Sequence, residues 1–425
     1  MKKIPTTILG CLGCGFVVAQ PAAQFSLRQV LDSARHNNIA MRNAARAITS
    51  SAEERKEAFT KYFPTVGGSA FWFDAAKSVI STEVEVPGMG SLPLNYIKDG
   101  IHGSVSATQP IFAGGKIVNS NKLAKVGEDA SRIQSRLLLN EVDKTAEQYF
   151  WQMVTIEEKL KTVGATEKLL ADIHADVDVS LRAGVALRND LLQVQLRQNE
   201  VESQKLKLTN SLQLVRMLLA QFCGLRDTTF TLAYDSVAAS PVALKRDHSQ
   251  ALAATAEYQL LGKQVEAAKL ERRLTVGEYL PTLSVSAGYS YSNIINSKNN
   301  ANIMATISVP ISNWWGGSHA IRRKSVAYHQ ALDQQSDQAQ MLVIRMQNAW
   351  NNVEEAYKQL GIAERSIEQS AENLRMHRDF YKAGTATMSN LLEAQMLYQQ
   401  SLDRRADAFA DYQNSLLAYK QAVGE

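Results

Sequence analysis

A long hydrophobic seam runs through the second half of the chain. Between Leu342 and Tyr381, mostly apolar or small side chains recur at alternating steps of three and four residues, and Met388–Val423 continues the pattern. This spacing places one apolar stripe along a helix, as in a coiled coil. A looser version occupies 146–181. At ~1.5 Å per residue, a helix over 317–382 would be roughly 100 Å long, far more than a compact domain requires.

Four shorter stretches alternate with a period of two and predict strands. They are 65–73, 101–108, 282–291 and 303–309. Apolar side chains occupy one face and Ser, Thr or Gly mostly occupies the other, although three consecutive aromatic residues interrupt the first stretch. About ten residues is the length of a strand that crosses a membrane in a β-barrel. A half-buried soluble sheet shows the same alternation, so the strands alone leave both structures open.

Short motifs at the borders of these elements occur twice, in the same order. The pairs are Tyr62-Phe63-Pro64-Thr65-Val66 with Tyr279-Leu280-Pro281-Thr282-Leu283, Pro110-Ile111 with Pro310-Ile311, Gly114-Gly115 with Gly316-Gly317, and Ala183-Gly184 with Ala383-Gly384. Self-similarity over so long a period indicates that a structural unit has been duplicated.

The duplication divides the chain into predicted regions. These are a signal peptide over 1–24, a first repeat over 25–223, a linker over 224–247 and a second repeat over 248–425. Each repeat is predicted to contain a short helix, a β-hairpin and two long helices. The hairpins are placed at 65–109 and 281–310, and the long helices at 115–223 and 317–423.

The first residues are typical of a targeting segment. Lys2 and Lys3 precede an apolar stretch that ends near Ala19, and small residues follow. This arrangement predicts a secretory signal, cleaved between Ala19 and Phe25. The alternative is a lipoprotein signal in which Cys14 carries the lipid. In either case Cys223 is the one ordinary cysteine left, and its apolar helical context favours a core position.

Charge and strand number change this picture further. The formal net charge of +4 is small and evenly spread, which argues against a nucleic-acid partner. No other apolar run reaches the length of a membrane-spanning helix, so a membrane role requires a β-barrel. Four strands cannot close such a barrel, and open edges are not tolerated in lipid, so closure requires oligomerisation.

Several aromatic residues suit an interfacial girdle or packing between strands: Phe71, Trp72, Phe73, Tyr289 and Tyr291.

The motifs at the strand-to-helix junctions and between the long helices resemble one known family. The segments concerned are Gln109–Lys116, its partner from Val309 to Gly317, and the helix-turn segments 183–195 and 383–395. They are similar to the TolC family of outer-membrane efflux proteins, over nearly the whole mature chain. The resemblance implies a mainly α fold with membrane β, in which a long coiled-coil helical barrel joins a transmembrane β-barrel.

The same resemblance implies an assembly and partners. The expected form is a homotrimer in the cell outer membrane, in contact with outer membrane lipid, with helices extending into the periplasm. An equatorial belt would include 224–247. Partners would be a periplasmic adaptor and an inner-membrane pump, in multidrug efflux or type I secretion.

Proline and glycine mark the predicted elbows and turns. Proline cannot donate a ladder hydrogen bond and suits a strand end, while paired glycines allow a sharp bend into a helix. The elbows are therefore placed at Pro110, Gly114 and Gly115 in the first repeat and at Pro310, Gly316 and Gly317 in the second. Gly184 and Gly384 suit the C-terminal caps of long helices, so that tight turns follow.

The resemblance also implies a gate at these turns. By motif position, Asp190 and Tyr381 would form the hydrogen bond that holds the pore closed. Asn390 and Glu393 lie where the family carries acidic residues, and since Asn390 is neutral, any ring of charge would rest on Glu393. The alternatives are ordinary capping and packing for the first pair, and a solvated side chain for Glu393.

No constellation of catalytic residues stands out in the sequence. The seven histidines are scattered, and no nucleophile elbow, phosphate loop or paired-carboxylate pattern occurs. We therefore predict neither enzyme activity nor a metal or cofactor. The predicted function is a passive exit duct for small molecules or proteins, powered by its inner-membrane partner. The alternatives are a periplasmic coiled-coil adaptor and a structural protein without a pore.

Overall fold

The computed structural model describes residues 24–88, 90–96, 99–226, 228–235, 238–294 and 298–425. The predicted signal sequence and Cys14 lie outside these residues, apart from residue 24. The chain forms two compact units, each described by itself. The first comprises Met1–Ala34, Thr145–Ala238 and Ala363–Ala410, and the second comprises Arg35–Lys144, Ala239–Ile362 and Asp411–Glu425.

Long helices dominate the secondary structure. The helices are α1 (Leu27–Asn37), α2 (Ile39–Thr60), α3 (Lys116–Arg182), α4 (Arg188–Cys223), α5 (His248–Ala251), α6 (Ala256–Glu278), α7 (Trp314–Lys382) and α8 (Met388–Val423). The strands are β1 (Gln24–Ser26), β2 (Thr65–Asp74), β3 (Ile80–Val86), β4 (Gly90–Tyr96), β5 (Asp99–Ala113), β6 (Thr231–Ala233), β7 (Thr282–Ser292) and β8 (Lys298–Ser308). The seam that begins at Leu342 lies within α7, which contains 69 residues.

The core of the first unit is built from apolar residues of α3, α4 and α8. Its buried cluster consists of Val163, Leu170, Ile173, Val177, Val194, Val201, Met388 and Leu391. Trp151 adds an aromatic contact to Phe409, with ring centroids 5.5 Å apart, and donates a hydrogen bond to Glu147. Because each helix buries one stripe against its neighbours, the unit is stabilised along its seams.

The N-terminal residues and the linker also meet in the first unit. β1 pairs with β6 in parallel, and Phe25 packs edge-on against Phe230 with centroids 5.6 Å apart. Cys223 is fully buried beside the carbonyl of Val30, and burial raises the pKa of its thiol to about 12. The thiol therefore stays protonated, as expected of a core residue.

A four-stranded antiparallel sheet belongs to the second unit. Its order is β2-β5-β7-β8, so the strands of the two repeats join in one sheet. The register places Ser69, Ser104, Ser290 and Asn300 in one row. A row on the other face of the sheet consists of Val66, Ala107, Ala287 and Ile303. In these two rows the alternation read from the sequence gives a polar side and an apolar side of the sheet.

The connection between β2 and β5 contains two further strands within the predicted hairpin over 65–109. β3 and β4 pair along their whole lengths as a separate antiparallel hairpin. Gly88 and Gly90 bracket its turn with φ values of +88° and +81°. The alternation in β3 is short and includes charged residues, so it is hard to distinguish from a loop by sequence.

Candidate functional site

The turn between α3 and α4 closes the first of two helical hairpins. Gly184 adopts a φ of +75°, which a side chain would disfavour. Its N–H donates to the carbonyl of Leu181, and Val185 N–H donates to the carbonyl of Ser180, both at 3.0 Å. These bonds satisfy carbonyl groups that the end of the helix would otherwise leave unpaired.

Asp190 caps the helix that follows this turn. Its carboxylate accepts a 3.2 Å hydrogen bond from the backbone N–H of Leu187, while its own N–H donates to the Leu187 carbonyl at 3.1 Å. A negative charge in the first turn of a helix also interacts favourably with the helix dipole. Asp190 is therefore already engaged within its own helix.

The turn between α7 and α8 repeats this geometry. Gly384 has a φ of +73°, and its N–H donates to the carbonyl of Tyr381 at 3.0 Å. Thr385 donates to the carbonyl of Phe380 from its N–H at 2.9 Å and from its hydroxyl at 3.1 Å. The repeated turns observed in the sequence thus have the same backbone structure.

At the start of α8, Asn390 takes the position that Asp190 takes in α4. Thr387 N–H donates to the side-chain oxygen of Asn390 at 3.2 Å, and Asn390 N–H donates to the Thr387 hydroxyl oxygen at 3.3 Å. This reciprocal pair resembles a capping box, with an amide in place of the usual acid. Glu393 lies one turn further on and is exposed.

A cavity of about 920 Å³ lies between the two turns. Asp176 and Asp190 line it from the first hairpin, and Arg378 and Lys382 line it from the second. Further lining residues include Ile173, Val179, Val185, Leu187, Tyr381, Thr387, Met388 and Leu391. The cavity thus combines apolar walls with charged groups of opposite sign on the two hairpins.

Tyr381 and Asp190 are both in this cavity. Burial raises the pKa of the Tyr381 phenol, and the negative charge of Asp190 raises it further. Within the described part of the chain, no direct hydrogen bond joins the two side chains. The hydrogen bond between them therefore stays a prediction, while their shared cavity is a property of the structure.

The first strand-to-helix elbow depends on a close approach between two glycines. Gly114 and Gly115 have φ values of +63° and +74°. A Cβ atom on Gly114 would overlap the carbonyl oxygen of Gly277 in α6, and one on Gly277 would lie 2.5 Å from the carbonyl oxygen of Gly114. Upstream, β5 continues through Pro110, where the register with β7 shifts before Phe112. This irregularity accommodates the missing N–H within the strand.

The second elbow has a different structure. Pro310 ends the extended segment, a short 3₁₀ turn follows, and α7 begins at Trp314. Gly316 and Gly317 consequently lie in the first turn of α7, and the backbone does not bend there. A Cβ atom on Gly317 would lie 2.8 Å from the ring of Tyr279, whereas one on Gly316 would meet nothing within 4 Å.

Comparison with known proteins finds a family match in the second repeat. Residues 248–425 match the family model described as outer membrane efflux protein. No curated protein matches the sequence.

Solved outer membrane channels share the fold of almost the whole chain. VceC from Vibrio cholerae has a TM-score of 0.79 at 14% identity, with coverage of 94% of this chain and 96% of that chain. CmeC from Campylobacter jejuni has a TM-score of 0.79 at 14% identity, and the match covers 100% of this chain and 94% of that chain. The open state of MtrE from Neisseria gonorrhoeae has a TM-score of 0.75 at 14% identity, and the match covers 94% of this chain and 88% of that chain.

These comparisons confirm the TolC-like fold class and the resemblance on which it was predicted. The fold of this chain is similar to that of solved outer membrane channels. Closure of the four strands into a barrel stays a prediction. Among the residues that the structure describes, no helix has the length and hydropathy to cross a membrane, and no group of three His, Cys, Asp or Glu side chains is arranged to hold a metal ion.

The sequence analysis did not predict two features, one at the first elbow and one between α4 and α8. Gly277 lies inside a helical pattern two residues before Tyr279, and the equivalent position of the first repeat is Thr60. An isolated glycine in a helix often marks a close approach, which is the signal that was available. The second feature is a buried hydrogen-bond network centred on Arg197, whose partners are distant in sequence.

Proposed function

We propose that this chain is the outer membrane exit duct of a tripartite efflux or type I secretion system. The observation that carries the proposal is the fold match to outer membrane channels over nearly the whole chain, together with the family match of 248–425. Solutes pass through passively, and an inner-membrane pump supplies the energy. The chain is not an enzyme in this proposal. A periplasmic adaptor or a poreless coiled coil would not be expected to match channels over this extent.

The open sheet supports closure by several copies, and we propose three. In the described part of the chain, β2 and β8 each pair on one side only. Unpaired edges in lipid cost several kcal/mol per exposed backbone group, so pairing of β8 with β2 of the next copy would remove a large penalty. Exposed Ile303 and Ile307 on β8 then face lipid.

The helices offer a second surface for the same assembly. Five exposed apolar residues of α4 lie within one face at 3.6 residues per turn: Leu192, Leu196, Leu206, Leu214 and Met217. An apolar stripe of this length is unusual on a free helix, and in the proposal a neighbouring copy covers it.

The first helix turn suits an adaptor. Val185 and Leu187 expose 81% and 69% of their surfaces beside the cavity between the turns. Exposed apolar residues next to charged groups are typical of a protein contact site. We infer that the periplasmic adaptor docks here, and that the channel is located in the outer membrane with these turns in the periplasm. Any ring of acidic charge at the turns would rest on Glu393.

Conductance in planar bilayers tests the duct. Purified, detergent-solubilised protein is expected to insert and produce discrete conductance steps, because a closed barrel with a polar inner face admits ions. Size-exclusion chromatography with light scattering should give three copies per particle. A monomer that is fully soluble without detergent would overturn the proposal.

Replacing Tyr381 with Phe tests the gate. The change keeps the ring and removes the hydroxyl group that is proposed to bond Asp190 in the closed state. Because a hydrogen bond to a charged group is worth about 1.5–3 kcal/mol, its loss is expected to disfavour the closed state and to raise mean conductance several-fold. Antibiotic sensitivity of cells should rise with it. Tyr398→Phe on α8 is the matched control. If both variants behave as the unmodified protein in both assays, Tyr381 has no role in gating.

A further inference from the structure

A polar layer interrupts the apolar packing of the first unit. Gln395 and Gln399 lie one turn apart on α8 and expose only 1% and 4% of their surfaces. Just before them, Leu391 belongs to the buried apolar cluster. Buried amides are unfavourable unless their hydrogen bonds are made, so this layer requires specific partners.

Arg197 of α4 supplies those partners. Its Nε donates to the side-chain oxygen of Gln395 at 3.2 Å, and its Nη2 donates to that of Gln399 at 2.9 Å. Its Nη1 donates to Glu200 at 2.9 Å, which balances the charge. The planar guanidinium thus bridges one turn of α8 with fixed geometry, as a lysine could not.

The two glutamines carry the network to further helical positions. The Gln395 amide nitrogen donates to the Thr166 hydroxyl of α3 at 3.4 Å, and the Gln399 amide nitrogen donates to Gln204 of α4 at 2.8 Å. Three helices are therefore held by side chains whose hydrogen bonds depend on one axial alignment. Polar residues within an apolar seam are known to specify register at some cost in stability.

The duplication accounts for Gln395, whose equivalent is Gln195, but not for its partners in this layer. The position equivalent to Arg197 in the second repeat is Leu397, which is exposed, and the position equivalent to Gln399 is Asn199. Only one of the two hairpins carries the arginine. An arrangement present in one repeat points to a task that the common helical packing does not perform.

We propose that Arg197 is a positioning residue that latches α8 to α4 and thereby holds the two helix turns in the arrangement of this structure, which the proposal assigns to the closed duct. This inference rests on the proposed function. α4 begins at Arg188, so the latch lies nine residues, or ~14 Å, from the turn. Because α8 leads directly from the second turn, any sliding or tilting of α8 against α4 separates Arg197 from both glutamines.

The test separates latching from ordinary stability. In Arg197→Leu, the buried oxygens of Gln395 and Gln399 lose their donor, so the thermal midpoint should fall. In the triple variant Arg197→Leu, Gln395→Leu, Gln399→Leu, the layer becomes apolar and the midpoint should return to that of the unmodified protein or exceed it. Thr166 can then donate to its own helix.

Single-channel recording in planar bilayers gives the deciding result. The triple variant is expected to open at least about fivefold more often than the unmodified channel despite its restored stability, because an apolar layer tolerates sliding. Arg404→Leu, the same change at an exposed site of α8, should leave the opening frequency unaltered. Restored stability with unaltered opening would overturn the latch. Absence of conductance from every form, the unmodified protein included, would instead count against the duct itself and remove the basis of the latch.

Discussion

Gly114→Ala is expected to destabilise the second unit more than alanine at any other glycine that the structure describes. The added methyl group would overlap the carbonyl oxygen of Gly277, and the φ of +63° disfavours any side chain. Left-handed backbone costs about 1–2 kcal/mol and overpacking costs about 1–3 kcal/mol, so we expect a loss of roughly 2–5 kcal/mol. Against a typical stability of about 5–15 kcal/mol, this would be severe.

Two further variants make this prediction specific. Gly277→Ala introduces the same collision from the α6 side, 2.5 Å from the Gly114 carbonyl oxygen, without the penalty of positive φ. Its cost should therefore be smaller, about 1–3 kcal/mol. Gly316→Ala lies in the helix with nothing within 4 Å and should stabilise by about 0.5–1 kcal/mol. Thermal unfolding in detergent measures all three. Equal midpoints for Gly114→Ala and Gly316→Ala would contradict the close approach.

Tyr419→Ala is expected to cost about 3–5 kcal/mol, because it removes a large buried ring and leaves a cavity. Tyr419 is 1% exposed, and its ring packs 5.0 Å from that of Trp350. Its hydroxyl oxygen accepts a 2.8 Å hydrogen bond from the backbone N–H of Arg246, in the predicted linker. The residue therefore fixes the linker to α8 within the second unit.

The conservative variant separates the two contributions. Tyr419→Phe retains the ring and removes the acceptor for Arg246, so its cost should be about 1 kcal/mol. Chemical denaturation in detergent measures both losses, and limited proteolysis near Arg246 should quicken in both. If Tyr419→Phe proves as damaging as Tyr419→Ala, the hydrogen bond and not ring packing would dominate.

The elements that the sequence predicts are those whose residues follow a local periodic pattern. The seam starting at Leu342 predicts α7 because the spacing of apolar residues depends only on helix geometry. The alternation from Thr282 predicts β7 for the same reason. Both signals lie within a continuous segment. Gly184 and Gly384 were likewise identifiable because the end of a helix requires a particular local backbone conformation.

The second repeat shows where this reasoning is misleading. Gly316 and Gly317 correspond to Gly114 and Gly115 in the sequence repeat, yet they lie inside a helix. Glycine permits both a helical and a left-handed backbone, so the pair does not determine a bend. The surrounding packing decides it: Gly114 meets Gly277, whereas Gly317 meets the ring of Tyr279.

The candidate gate was also only partly predictable from the sequence. Motif position predicts a contact between Asp190 and Tyr381, and both residues line one cavity. The structure also shows that the Asp190 carboxylate caps α4 through Leu187, a contact that competes with any bond to Tyr381. The network around Arg197 was not accessible, because hydrogen bonds between Arg197 and Gln395 leave no periodic trace in the sequence.

The sequence by itself determined the duplicated organisation, the long helices, the alternating strands and the turns at Gly184 and Gly384, since each follows from local backbone geometry and the spacing of apolar residues. Only the tertiary structure decided that β5 of the first repeat pairs with β7 of the second, that Gly277 closes the elbow, and that Arg197 joins α4 to α8. These features depend on which distant surfaces meet, and contacts of that kind are selected by the packing of the whole unit.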